Sequence, residues 1–161
     1  MPKIELITEI KAPIERCFDL SRSIDLHVIS TQHTGERAID GVTSGLIGLG
    51  ESVTWRAKHF GIWQDLTSKI TDYHRPVFFA DEMVKGIFRS FRHEHHFRQK
   101  DADVVEMMDY FNYQSPLMIL GRIADKLFLE LYMKNLLKQR NQIIKEVAES
   151  NQWKKILTPK K

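Results

Sequence analysis

One cysteine, Cys17, stands among 161 residues. A single thiol closes no internal disulfide and builds no cysteine-rich zinc site, so nothing in the chain requires an oxidising compartment, and the cytoplasm is the default expectation. Long hydrophobic runs are missing too: no stretch approaches the roughly 18 apolar residues of a membrane-spanning helix. The opening MPKIELITEI has charges scattered through it and reads as a strand, unlike the uninterrupted apolar segment of a secretory signal. There is no low-complexity tract and no internal repeat. A strong charge of one sign is also lacking. The net charge is +3, and basic residues alternate with acids except at Lys154, Lys155, Lys160 and Lys161, so the nucleic-acid reading is weak and a solvated basic tail is preferred.

What is present is an ordinary globular composition, 42% apolar and 28% charged, in a chain of a length that buries one sizeable core. The expected organisation is a single domain over residues 1–150, followed by a tail at 151–161. KIELITEIKAP alternates Ile4, Leu6, Thr8 and Ile10 with polar neighbours and then reaches Pro13, whose fixed dihedral suits a first helical turn. The spacing therefore predicts a strand running into a short helix with Ile14, Cys17 and Phe18 on one side. A second short helix or turn follows in SRSIDLHVIS, then a short strand in TGERAIDG.

Gly45, Gly48 and Gly50 stand in the order G-x-x-G-x-G, but they lead into a strand. Dinucleotide and P-loop sites need a helix N-terminus immediately after the turn, so backbone freedom is the better explanation here. From Glu51 the pattern is strand after strand: ESVTWRAKH, IWQDLTSKITDY, VFFADEMVK, IFRSFRHEHHFRQK and DVVEMMDYFNY. Turn signals this closely spaced imply antiparallel neighbours. The period then changes. Ser115 and Pro116 read as a helix start, and residues from Ile119 to Ala148 as one long helix whose LFLELYMKNLL segment is apolar around much of its circumference. That breadth makes a homodimer through its outer side one expectation.

With these elements in place, the chain resembles the START-like, or SRPBCC, superfamily. "IKAPIERCFDL" is similar to its first strand and Pro-initiated helix, and "FADEMVKGIFRSFRHEHHF" with "MMDYFNYQSPLMILGRIADKLFL" to its polyketide cyclase/dehydratase-like, ligand-binding subgroup. The resemblance covers residues 3 to 148. It implies an α+β helix-grip fold: a seven-stranded curved antiparallel sheet around a long C-terminal helix, two short helices after the first strand, and a cavity between sheet and helix. Such a fold hosts lipid binding and catalysis alike.

The faces of the strands then matter. In FRSFRHEHHFRQ, Phe91, His93, His95 and Phe97 share one parity, and Arg92, Glu94, His96 and Arg98 the other. A connection centred on Ile87 sets Asp81 opposite His93, and one centred on Asp101 sets His93 opposite Asp109. Phe79, Met83, Met107 and Phe111 flank these positions on the same face. A carboxylate on an apolar wall is costly alone and tolerable beside an imidazole, so the pattern predicts an Asp81, His93, Asp109 cluster, with His95 one step along and Ser68 as an extension. Trp55, Ser68, Phe79, Asp81, Met83, Phe91, His93, His95, Phe97, Met107, Asp109 and Phe111 are the candidate ligand contacts.

HEHH lacks the His-Glu-x-x-His spacing of a helical zinc protease. Two histidines at i and i+2 plus a carboxylate would furnish three ligands of an open zinc site. The aspartates, however, are placed to bond the imidazole of His93, and the flanks are apolar, so the reading adopted is no metal and no cofactor. His27, His33, His59 and His74 fall near turns and receive no role. The preferred function is binding of a small hydrophobic or amphipathic molecule, lipid- or polyketide-like. The alternatives are a cyclase or dehydratase using His93, His95 and Asp109 as acid/base groups without a covalent intermediate, and a non-catalytic interaction protein.

Overall fold

The computed structural model describes residues 2–115 and 128–158. The alternating N-terminal segment is β1 (Lys3–Ile10), and Pro13 stands at the N-cap of α1 (Ile14–Ser21), which buries Cys17 and Phe18 completely. The turn read in SRSIDLHVIS is helix α2 (Ile24–Ser30), where the Ser23 side chain accepts a hydrogen bond from the Leu26 amide. A short 3-10 turn (Gln32–Thr34) leads to β2 (Arg37–Gly41). The glycine-rich segment after it forms irregular turns with Gly45 and Gly50 at φ 76° and 79°, the backbone role the sequence assigns to it.

Five longer strands follow: β3 (Ser52–His59), β4 (Ile62–His74), β5 (Phe78–Lys85), β6 (Ser90–Asp101) and β7 (Val104–Gln114). They make a seven-stranded antiparallel sheet in the order β1-β7-β6-β5-β4-β3-β2. The long helix, α3 (Glu130–Glu149), packs on β1, α1 and α2. Its expected start at Ser115–Pro116 and first turns from Ile119 lie largely outside the described residues. Part of the segment expected as a solvated tail is instead a short helix, α4 (Trp153–Leu157), because Trp153, Ile156 and Leu157 find apolar cover and Arg16 lies 4.2 Å over the Trp153 ring.

Register decides which side chains meet. Asp81 is opposite His93, as a connection centred on Ile87 requires. The next pairing differs from expectation: Asp109 is opposite His95, and His93 faces Phe111. Asp101 pairs with Val104 across a two-residue loop, which alone would send Asp109 to the face opposite His93; a bulge between Gln99 and Asp101 restores the parity. The net displacement is two residues, so Phe91, His93, His95 and Phe97 still share the inner face with Met107, Asp109 and Phe111. His96 goes with the ions outside, 3.1 Å from Glu94, beside Arg92, which bridges Asp72 at 3.0 Å and Glu94 at 2.8 Å.

The interior has two ends. Around α1 it is filled: the Phe18 ring meets Tyr73, Phe79 and Phe97 edge-on at 5.3–5.4 Å, under Ile144, Val147 and Ala148 of α3. Toward the start of α3, Ile4, Phe88, Phe91, Phe111, Tyr113 and Leu137 form a separate apolar cluster, with Leu129 and Met133 only partly buried against it.

Candidate functional site

Between those two ends lies a polar network built from three strands and one helix. Asp109, wholly buried, accepts a hydrogen bond of 2.9 Å from His93 Nε2 at Oδ1. His95 Nδ1 is also 2.9 Å from that oxygen but off the N–H axis, a close electrostatic contact without a directed bond. His95 Nε2 lies 3.3 Å from Asp81 Oδ1. The expected Asp81–His93 pairing is thus replaced by diagonals, Asp81 with His95 and His93 with Asp109, and the imidazole centroids stand 3.9 Å apart. From α3, Asn141 Nδ2 donates to Asp109 Oδ2 at 2.7 Å, and Arg140 Nη1 lies 3.6 Å from Oδ1 while its Nη2 donates to the Ser21 carbonyl at 2.9 Å. A buried carboxylate without such partners costs several kcal/mol; this ring of donors offsets it.

The network sets its own charge pattern. Burial, reinforced by the neighbouring His95 ring, pushes His93 down to about 4 against the opposing pull of Asp109. His93 is therefore neutral at pH 7, and because a carboxylate only accepts, its proton sits on Nε2 and Nδ1 carries a lone pair that no described residue bonds. Burial alone would raise Asp109, but the hydrogen bond from His93 and the close His95 ring hold it well below the usual carboxylate range. Asp81 is held low in the same way, its burial outweighed by His95 and then His93.

Among the described residues, a partly open hollow of about 220 Å³ lies between this network, the aromatic strands and the first half of α3. A second, of about 110 Å³, extends toward α1 and α2. Trp55, Ser68, Asp81, His93, Leu137 and Arg140 border both. No described residue bonds the Ser68 hydroxyl, although Ser68 is buried.

Of the sequence-derived contacts, Trp55, Ser68, Asp81, Phe91, His93 and Phe111 line the larger hollow; Phe79 and His95 reach only the smaller. Four line neither. Phe97 and Met107 share the right face but lie under α1 in the filled core, Met83 packs against the Phe91 cluster near the strand end, and Asp109 is sealed behind the two histidines. Sequence reasoning missed His27, whose ring lies tilted 4.2 Å from that of Trp55 and which is bonded to Glu36 at 2.7 Å, and His59, bonded to Tyr132 at 2.8 Å at the mouth. Burial lowers His59 and raises Tyr132. It also missed Arg140 and Asn141. Their signal was available: they occupy the positions between Leu137 and Ile144 that complete the buried stripe of α3, where polar residues are out of place unless partnered.

Asp81, His93 and His95 each present one metal-ligating atom, all within 4.8 Å of one another. None of the described helices is long and apolar enough to cross a membrane.

No protein-family model matches the chain, and no curated protein matches it. Solved structures do. TTHA0849 from Thermus thermophilus is similar with a TM-score of 0.71 at 16% identity, over 92% of this chain and 100% of that one. The Zhui aromatase/cyclase from Streptomyces sp. R1128 also gives 0.71, at 14% identity over 92% and 93%. A START superfamily protein from Mycobacterium smegmatis gives 0.68, at 10% identity over 90% and 98%. Likeness at such identities speaks to architecture alone. With its two short helices, its seven-stranded antiparallel sheet and its C-terminal helix, the chain has the helix-grip fold of the START-like, or SRPBCC, superfamily.

Proposed function

We propose that the protein binds a small hydrophobic or amphipathic molecule beneath the first half of α3. The observation that carries this reading is the juxtaposition of an aromatic-lined hollow with an unbonded acceptor, His93 Nδ1, and an unbonded hydroxyl, Ser68 Oγ. Apolar walls with a few placed polar groups are the usual anatomy of small-ligand sites. Trp55, Phe91 and Phe111 supply contact area, and His93 and Ser68 orient a hydroxyl or N–H of the ligand. The larger hollow is below the roughly 300–1,000 Å³ of drug-sized sites, so the occupant is compact, or is the buried part of a longer molecule that leaves past Phe60, His59 and Tyr132.

Magnitude favours binding over catalysis at this site. With a value of about 4, His93 is protonated in about one molecule in a thousand at pH 7, and it is a weak base. Acid/base catalysts work best with a value near the operating pH. His93 is suited to accepting a hydrogen bond, and the binding reading is preferred to a cyclase or dehydratase activity.

Native mass spectrometry of gently purified protein tests the proposal, beside a Leu136→Trp variant that fills the hollow. The expected result is a small apolar adduct on the wild type, displaced by an added fluorescent apolar probe, and absent from a variant of unchanged melting temperature. Bare wild-type chains that also ignore the probe would contradict it, as would equal probe binding by the filled variant.

A further inference from the structure

If both aspartates served His93, as the sequence suggests, too few free donors would remain to hold a metal. The observed register removes that obstacle. One buried carboxylate, Asp109, engages one nitrogen of each ring, His93 Nε2 and His95 Nδ1, both at 2.9 Å. That leaves His93 Nδ1 and His95 Nε2 as the remaining ligand atoms, with Asp81 beside the latter. We propose that Asp81, His93 and His95 hold a divalent transition-metal ion, zinc fitting best, and that Asp109 is the outer carboxylate that orients both imidazoles.

Four observations support the assignment. First, His95 Nε2 and Asp81 Oδ1 are 3.3 Å apart, longer than a charge-assisted hydrogen bond at roughly 2.7–2.9 Å. Tetrahedral zinc with bonds of roughly 2.0–2.1 Å sets its ligands about 3.3 Å apart. Second, metal-bound histidines generally pass their other N–H to a carboxylate or carbonyl, and here one fully buried aspartate bonds His93 Nε2 and stands 2.9 Å from His95 Nδ1, so a small turn of the His95 ring would complete the second bond. Third, all three ligands border the smaller hollow, with the unbonded Ser68 hydroxyl on the same wall, so a fourth coordination position opens into space. Three protein ligands plus an open position is the layout of a reactive zinc site, whereas structural sites are closed. Fourth, the two-nitrogen, one-oxygen donor set suits zinc and its first-row neighbours and excludes calcium and magnesium as good fits.

One ligating atom from each of the three residues lies within 4.8 Å of the others, so the set must draw together around an ion, with Asp81 the least buried of the three. Its side chain keeps 17% of its surface exposed, against 10% and 3% for the histidines. With the ion bound, two carboxylates face Arg140 and a divalent charge. The site is then one negative charge short of neutrality, which a hydroxide or the ionised oxygen of an organic guest would supply. His93 Nδ1 is called on in both proposals, so with the ion bound a guest in the larger hollow would be oriented by Ser68 and the open coordination position; metal uptake itself needs no such guest.

The test uses the untagged full chain, stripped with chelator and titrated with zinc and with cobalt(II), and needs no organic ligand. Wild type should take up one ion per chain, and cobalt should give the intense visible bands of low-symmetry coordination. Asp81→Ala and His95→Gln should weaken binding by more than about 100-fold, and Asp109→Asn by roughly 10- to 100-fold. His33→Ala and His74→Ala, at exposed positions, should change nothing. Should the His95 or Asp109 variant fail to fold, wild-type stoichiometry and Asp81→Ala still decide. No stoichiometric uptake at micromolar zinc, or unchanged affinity in Asp81→Ala, would overturn the proposal.

Discussion

The two halves of α3 cover the same sheet in opposite ways. From Ile144 to Ala148 its underside meets α1 and the Phe18 cluster and leaves no hollow there among the described residues; from Glu130 to Leu137 it touches the Phe91 and Phe111 cluster through Met133 and Leu137 but leaves about 220 Å³ beside them. Arg140 and Asn141 mark the division, tying the helix to Asp109 and Ser21. Fastening the helix at its middle through hydrogen bonds lets one half pack to core density while the other remains apart, because the polar anchor replaces contacts the open half does not make. On the proposed reading, stability and binding fall to different turns of one helix.

The contrast is most exposed to test at its closed end. Phe18→Ala should destabilise the protein by about 3–5 kcal/mol in urea denaturation, the range for deleting a fully buried aromatic ring. The same truncation logic at the open end, Met133→Ala, should cost about 1 kcal/mol or less, since Met133 is partly exposed and already borders a void. Equal losses at the two sites would erase the distinction.

The dividing network should respond to pH. In the unfolded chain His93 takes up a proton near its ordinary value of 6.5; in the folded protein it does so only near 4. As pH falls between those values the unfolded state binds a proton that the folded state refuses, so stability is lost, by at most about 3 kcal/mol from this group. Asp109, held low, keeps its contribution through that window and loses it only at more acid pH. Comparing unfolding free energies at pH 7.5 and 4.5 for wild type and His93→Gln isolates the effect: the fall should be shallower in the variant. An identical fall in both would place the titration elsewhere.

The smallest expected effect is at α4. Trp153→Ala removes a half-buried ring and its contact with Arg16, for about 1–2 kcal/mol in the same assay. No change would mean that this helix does not contribute to the folded core.

Much of the architecture was legible because alternation is a local property. Phe91, His93, His95 and Phe97 share a face in any continuous strand, and Pro13 suits the first turn of the helix that follows β1. Pairing was less legible, since the Ala102–Asp103 loop and the bulge before it are decided together, and only their combined parity keeps Asp109 inside. The hollow itself has no signature of this kind. Phe91 and Phe97 are indistinguishable by parity and type, and one lines space while the other is core because α1 reaches only one end of β6. Arg140 and Asn141 could have been read from their place in the α3 stripe, but their partner Asp109 is defined only by three-dimensional packing.

Crystals pressurised with xenon test the division of α3 most directly, because xenon settles in dry apolar voids without needing a polar partner. The account predicts xenon density bounded by Phe91, Phe111, Met133 and Leu137 and none around Phe18. Density at the Phe18 end, or a first half of α3 collapsed onto the aromatic strands with no gas between them, would contradict it.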